Sequence, residues 1–93
     1  MEFPLACGRG DLKTVWTMLE EDPSIIHRKG LAGWTPLFYA VRANQVLVVK
    51  LLLIFGSDSY VKDTMEQTVL DIAKRKEYDE IVKLIENTDV WLT

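Results

Sequence analysis

The stretch GWTPLFYAV, residues 33–41, decides how this chain folds. A Thr-Pro pair set directly before an apolar run reads as a helix start. Thr35 takes the N-cap position, where its hydroxyl is expected to accept a backbone N–H. Pro36 takes the first helical position, where its missing N–H costs nothing. Leu37, Ala40 and Val41 then fall at i, i+3 and i+4, on one face of a short helix. Such a helix is marginal alone, because nucleation is costly and few hydrogen bonds follow it. It needs close neighbours, so the question becomes whether the chain carries further copies.

It does. Displaced by 33, Thr35 falls on Thr68, Leu37 on Leu70, Ala40 on Ala73 and Arg42 on Arg75. Val49, Lys50 and Leu51 fall on Val82, Lys83 and Leu84, while Val48 and Leu52 fall on Ile81 and Ile85. Displaced by 34 towards the N-terminus, a fainter copy emerges: Ala40 falls on Ala6, Val46 on Leu12, Val49 on Val15, Leu52 on Met18 and Leu53 on Leu19. The matches concentrate at apolar and helix-start positions, which are the positions a structural repeat keeps.

A period of 33 with Thr-Pro-Leu-x-x-Ala resembles the ankyrin-repeat family over nearly the whole chain. Residues 33–63, GWTPLFYAVRANQVLVVKLLLIFGSDSYVKD, carry the resemblance best: a Thr-Pro-Leu helix, a short turn, a Val-Val-x-x-Leu-Leu helix and a Gly turn. The resemblance implies an all-α solenoid of stacked helix-turn-helix units with hairpin-like loops. It divides one domain, 1–93, into repeat one at about 1–32, repeat two at about 33–65, and repeat three with a C-terminal cap at about 66–93. Three departures stand out. The family's usual His after Thr-Pro-Leu, a bridge between repeats, is Phe38 in repeat two and Asp71 in repeat three. The usual Gly-His between the helices is Asn44-Gln45 and Glu77-Tyr78, with Asn44 able to adopt the left-handed conformation in place of Gly. Repeat one lacks the Thr-Pro-Leu start.

The pattern predicts helices near Pro4 to Arg9, ended by Gly8 and Gly10, and from Leu12 to about Glu21. Asp11 caps the second of these, whose apolar face is Leu12, Val15, Met18 and Leu19. Asp22-Pro23 starts another short turn. Further helices are expected near Pro36 to Ala43, Val46 to Phe55, Val69 to Lys76 and Tyr78 to Asn87. The charged outer face of repeat three reads as a terminal cap. The tail Asp89-Val90-Trp91-Leu92-Thr93 either folds back on the last helix or marks where a longer protein was cut.

Composition narrows the function. A net charge of −3 and a pI of about 5.0 argue against nucleic acid as the main partner, which needs a basic face. No apolar run approaches the roughly 18 residues of a membrane span, since Lys50 interrupts the stretch from Val46 to Phe55. Cys7 is alone, so no disulfide or cysteine metal site is expected, and an intracellular compartment, cytoplasmic or nuclear, fits. Gly8-Arg9-Gly10 lacks the rest of any nucleotide fingerprint, so no cofactor is expected. Ser24, His27 and Asp22 lie within one loop with nothing to orient them as a triad. An enzyme is not expected.

The resemblance instead implies a non-catalytic protein-binding module using its concave surface. Its tip positions are Leu31, Ala32 and Trp34 in repeat two, and Thr64, Met65 and Gln67 in repeat three. Its inner-helix positions are Arg42, Ala43, Arg75 and Lys76. Trp34 is either an interface anchor or a packing residue at the tip. Arg42, Arg75 and Lys76 make a basic strip suited to an acidic peptide, or are solvated cations near helix ends. Leu47 and Ile54, seven apart on the outer helix of repeat two, stand where repeat three has Glu80 and Asn87, and suggest a self-association face. The alternative function is a regulatory or targeting segment of a larger enzyme or channel.

Overall fold

The computed structural model describes residues 2–92; Met1, at the start of the first expected repeat, and Thr93, at the end of the tail, lie outside them. Three helix pairs follow one another: α1 (Glu2–Arg9) with α2 (Leu12–Glu21), α3 (Pro36–Arg42) with α4 (Val46–Ile54), and α5 (Val69–Arg75) with α6 (Asp79–Glu86). A last turn, α7 (Thr88–Trp91), closes the described chain. The inner helices α1, α3 and α5 pack side by side, and the outer helices α2, α4 and α6 form a second layer behind them. No strand occurs among the described residues, which gives the all-α solenoid.

The layers explain the apolar pattern. α3 lies between α1 and α5 and against α4, so Leu37, Phe38, Ala40 and Val41 are all buried. Burying a side chain such as Leu37 or Phe38 contributes about 1.5–3 kcal/mol, which a lone seven-residue helix could not obtain. α4, flanked by α2 and α6, buries Val48, Val49, Leu52 and Leu53. Leu12 departs from its expected place on the buried face and is exposed. It is the first residue of α2, where the side chain tilts back past the helix N-terminus.

The helix starts differ between copies. Thr68 forms a reciprocal capping box with Asp71: its hydroxyl accepts from the Asp71 N–H at 3.2 Å, and the Asp71 carboxylate accepts from the Thr68 N–H at 2.9 Å. Thr35 sits at the N-cap of α3 but its hydroxyl makes no capping bond and is buried without a partner. The reason is local: the Phe38 N–H, which the hydroxyl should receive, donates to the Thr35 carbonyl at 3.0 Å, and Phe38 has no polar group to reciprocate. Asp11 caps α2 as expected, accepting from the Thr14 N–H and hydroxyl. α1 continues through Gly8, and Gly10 alone ends it.

The turns repeat as faithfully as the helices. Gly10, Asn44 and Glu77 occupy equivalent positions between the paired helices, and all are left-handed, with φ of 74°, 57° and 59°. The loops also close alike: Gly30 N–H donates to the Trp34 carbonyl and Asp63 N–H to the Gln67 carbonyl, at 2.8 and 2.9 Å. These closures make the loops hairpin-like without strands. The missing inter-repeat His is replaced from another position. Gln45 Nε2 donates to the Gly8 carbonyl at 3.0 Å, and Tyr78, its equivalent, donates to the Arg42 carbonyl at 3.2 Å. The tail folds back, with Trp91 Nε1 donating to the Leu84 carbonyl at 2.8 Å.

Candidate protein-binding surface

The surface begins at a buried carboxylate. Asp63, in the loop before α5, is only 5% exposed. One of its oxygens accepts from the Met65 and Gln67 backbone N–H groups, both at 2.9 Å; the other accepts from Trp34 Nε1 at 3.0 Å and Gln67 Nε2 at 3.2 Å. These donors, the Gln67 backbone N–H foremost, hold its carboxyl below the ordinary range against the opposing effect of desolvation. Asp63 thereby ties the two tip loops together. A backbone bond from Thr64 N–H to the Ala32 carbonyl, 2.9 Å, joins the same loops.

Trp34 is half-buried at this junction. Its ring stacks on Phe38 at 5.4 Å and meets Tyr39 edge-on at 5.3 Å. The Arg42 guanidinium lies 5.8 Å from the Trp34 ring centre. One repeat on, Arg75 donates to Gln67 Oε1. In each pair the arginine near the end of the inner helix reaches back to the residue preceding its own Thr. Four of the predicted positions, Trp34, Arg42, Gln67 and Arg75, are thus brought into one network through Asp63.

The others surround it. Leu31, Thr64 and Met65 are exposed at the tips, Leu31 and Met65 at 80% and 75%. Ala43 and Lys76 are exposed just past the inner helices. Beside Trp34, a cavity of about 320 Å³ is lined by Phe3, Pro4, Met18, Ile25 and Pro36, with Glu2, Arg28 and Lys29 contributing charge. Leu47 and Ile54 are not part of this surface. They are exposed on α4, in the outer layer.

Sequence reasoning missed two residues, Asp63 within this surface and Trp16 in the outer layer. Asp63 gave a faint signal, as a turn-forming residue whose side chain can bind N–H groups further along its own loop. Trp16 gave a clearer one: displaced by 34 and 33 it aligns with Lys50 and Lys83, solvent-facing positions, and it is exposed in α2 with its ring edge-on to Phe55 at 5.5 Å.

The Cys7 thiol is fully buried and burial pushes it up to about 12. Asp22 accepts directly from the Ser24 hydroxyl at 2.6 Å and from Arg28 at 3.4 Å, rather than orienting an imidazole between itself and the serine. Among the described residues no group of three or more His, Cys, Asp or Glu side chains could hold a metal, and no helix is long and apolar enough to cross a membrane.

Comparison with known proteins agrees with the fold. A family model described as ankyrin repeats in three copies matches residues 4–93. The chain is 38% identical over 85 residues to the putative E3 ubiquitin-protein ligase XBAT34 of Arabidopsis thaliana, covering 89% of this chain and 23% of that protein. It is 32% identical over 84 residues to the human NAD-capped RNA hydrolase NUDT12, covering 90% of this chain and 18% of the hydrolase. The crystal structure of the ankyrin repeat protein EF0377 superposes with a TM-score of 0.85 at 30% identity, over 90% of this chain and 45% of that one. The chain therefore spans about a fifth of the length of these curated relatives.

Proposed function

This chain belongs to the ankyrin-repeat family, whose repeats are generally protein-interaction modules, and on that premise we propose that it binds an acidic peptide or protein segment through its tip loops and inner helices. One observation carries the reading: Leu31 and Met65 stand exposed on neighbouring tips that are fastened to each other, with Arg42 and Arg75 on the adjoining helices. Exposed apolar groups on a rigid frame supply anchors at low entropic cost, and arginines supply bidentate recognition of carboxylates. Thr64, Gln67, Ala43 and Lys76 complete the contact surface, and the three repeats act as one unit without catalysis.

A display library of acid-biased peptides, panned on the chain, tests this. Selected peptides should lose binding to a Leu31→Glu, Met65→Glu variant and to an Arg42→Glu, Arg75→Glu variant, while Leu47→Glu leaves binding unchanged. Peptides that bind both concave variants as well as the parent overturn the reading.

The partial coverage of the hydrolase and the ligase supports a second reading, in which the repeats regulate or target a larger enzyme. Expression of the gene product from its source and measurement of its mass decides it: a protein well above 10.7 kDa supports this reading, and one of that mass removes it.

A further inference from the structure

The outer layer presents three rows of solvent-facing side chains, one residue from each outer helix or its C-cap in every row. They are Lys13, Leu47 and Glu80; Trp16, Lys50 and Lys83; and Glu20, Ile54 and Asn87. All nine are exposed, with Trp16, Leu47 and Ile54 at 46%, 62% and 52%. The ends of two rows are complementary across the middle helix. Lys13 on α2 is matched by Glu80 on α6, and Trp16 is matched by Lys83. A two-fold axis lying along the outer face of α4 exchanges the two flanks, so each copy would meet in its partner the group that complements its own.

We propose that this face pairs with a second copy of the chain, α4 against α4 in parallel about such an axis. Leu47 faces Leu47 and Ile54 faces Ile54 on the axis, two turns or about 10 Å apart. With Lys50 between them the spacing is 3 then 4, the seam of a two-stranded coiled coil. Lys13 of each copy pairs with Glu80 of the other, twice per dimer, at flanking positions where long side chains span the wider gap. Trp16 of each copy receives Lys83 of the other over its ring. Lys50 would meet itself, and its Nζ lies 5.6 Å from the Trp91 ring centre, a cation–π contact within its own chain that partly offsets this repulsion. Neither Lys13 nor Glu80 belongs to the ion pairs of the described residues, Arg28–Asp22 and Lys74–Glu86. The pairing does not depend on the concave surface being the peptide site.

Sedimentation equilibrium from about 10 μM to about 1 mM tests the proposal, a range suited to a small, partly polar interface. The mass should rise from 10.7 kDa towards twice that value with concentration. Leu47→Glu with Ile54→Glu should abolish the rise. Lys13→Glu and Glu80→Lys should each weaken the dimer about tenfold, since two attractive pairs become two repulsive ones. The double swap should return the dissociation constant to within about threefold of the parent. All the altered side chains are exposed, and matching circular dichroism spectra and melting temperatures establish that the variants fold. A monomer at every concentration overturns the proposal. So does a dimer whose single swaps have no effect, or whose double swap is no better than the singles.

Discussion

The indole N–H of Trp34 and the carboxylate of Asp63, 29 residues apart in the chain, are joined at 3.0 Å at the seam between two tip loops. The bond makes Trp34 part of the frame of the proposed binding surface. Two substitutions separate its contributions. Trp34→Phe keeps a ring against Phe38 and Tyr39 but removes the donor and some packing, costing about 1–2 kcal/mol, or a fall in Tm of about 4–16 °C. Asp63→Ala strands the Met65 and Gln67 N–H groups as well as the indole, so its Tm should fall further. Thermal melts followed by circular dichroism rank the two, and a smaller fall for Asp63→Ala would mean that the loops are held by packing alone.

Thr35 and Thr68, equivalent in sequence, should respond oppositely to the same change. The Thr68 hydroxyl caps α5, so Thr68→Val should cost about 1 kcal/mol. The Thr35 hydroxyl is buried with no partner, so Thr35→Val removes a desolvated polar group and keeps its shape and extended backbone. That variant should be neutral or more stable by up to about 1 kcal/mol. Urea unfolding of both variants measures the contrast, and equal losses would contradict it.

These two threonines also show how far the sequence could be read. The period of 33, the six helices and the left-handed Asn44 were legible, because each follows from local pattern or backbone sterics repeated three times. The failure of the Thr35 cap was not, because it turns on which acceptor the Phe38 N–H selects in a close-packed turn. The Trp34–Asp63 bond was hidden for a different reason: nothing local links residues 29 apart, and Asp63 looks like any turn aspartate until the repeats stack. The exposure of Leu12 follows from its place at the first position of α2, a boundary that periodicity does not fix. Trp16 was legible in principle, since its register matches Lys50 and Lys83, but an aromatic in an amphipathic helix reads first as core.

The left-handed turns predict a third contrast. At φ of 59°, Glu77 holds a conformation that costs a β-carbon-bearing residue about 1–2 kcal/mol. Glu77→Gly relieves this strain, less about 0.4–1 kcal/mol of added freedom in the unfolded chain, and should stabilise by about 0.5 kcal/mol. Gly10→Ala should do the reverse at the equivalent turn. It forces a β-carbon onto φ of 74° and into contact with Gln45 Oε1, disturbing the Gln45 bond to the Gly8 carbonyl. Denaturant midpoints decide it, and a Gly10→Ala protein as stable as the parent would show that the Gln45 bridge is dispensable.

Stability should also fall in acid, within a window fixed by four carboxylates. Asp63 is held below the ordinary range by the Gln67 backbone N–H first, Asp71 by the Thr68 N–H, Asp11 by the Thr14 hydroxyl and Asp22 by the Ser24 hydroxyl. Each folded-state pKa lies below the unfolded value of about 3.9, so the unfolded chain binds protons first as the pH drops. The stabilisation is complete above that value and is lost as the pH falls through the folded-state pKa values. Tm should therefore be level across neutral pH and decline below about pH 4. Asp63→Asn and Asp71→Asn should each lower Tm at pH 7 and flatten the decline between pH 4 and pH 2, because the residue that would be protonated no longer carries a charge. A Tm profile for the double variant that parallels the parent's would mean that other groups govern acid unfolding.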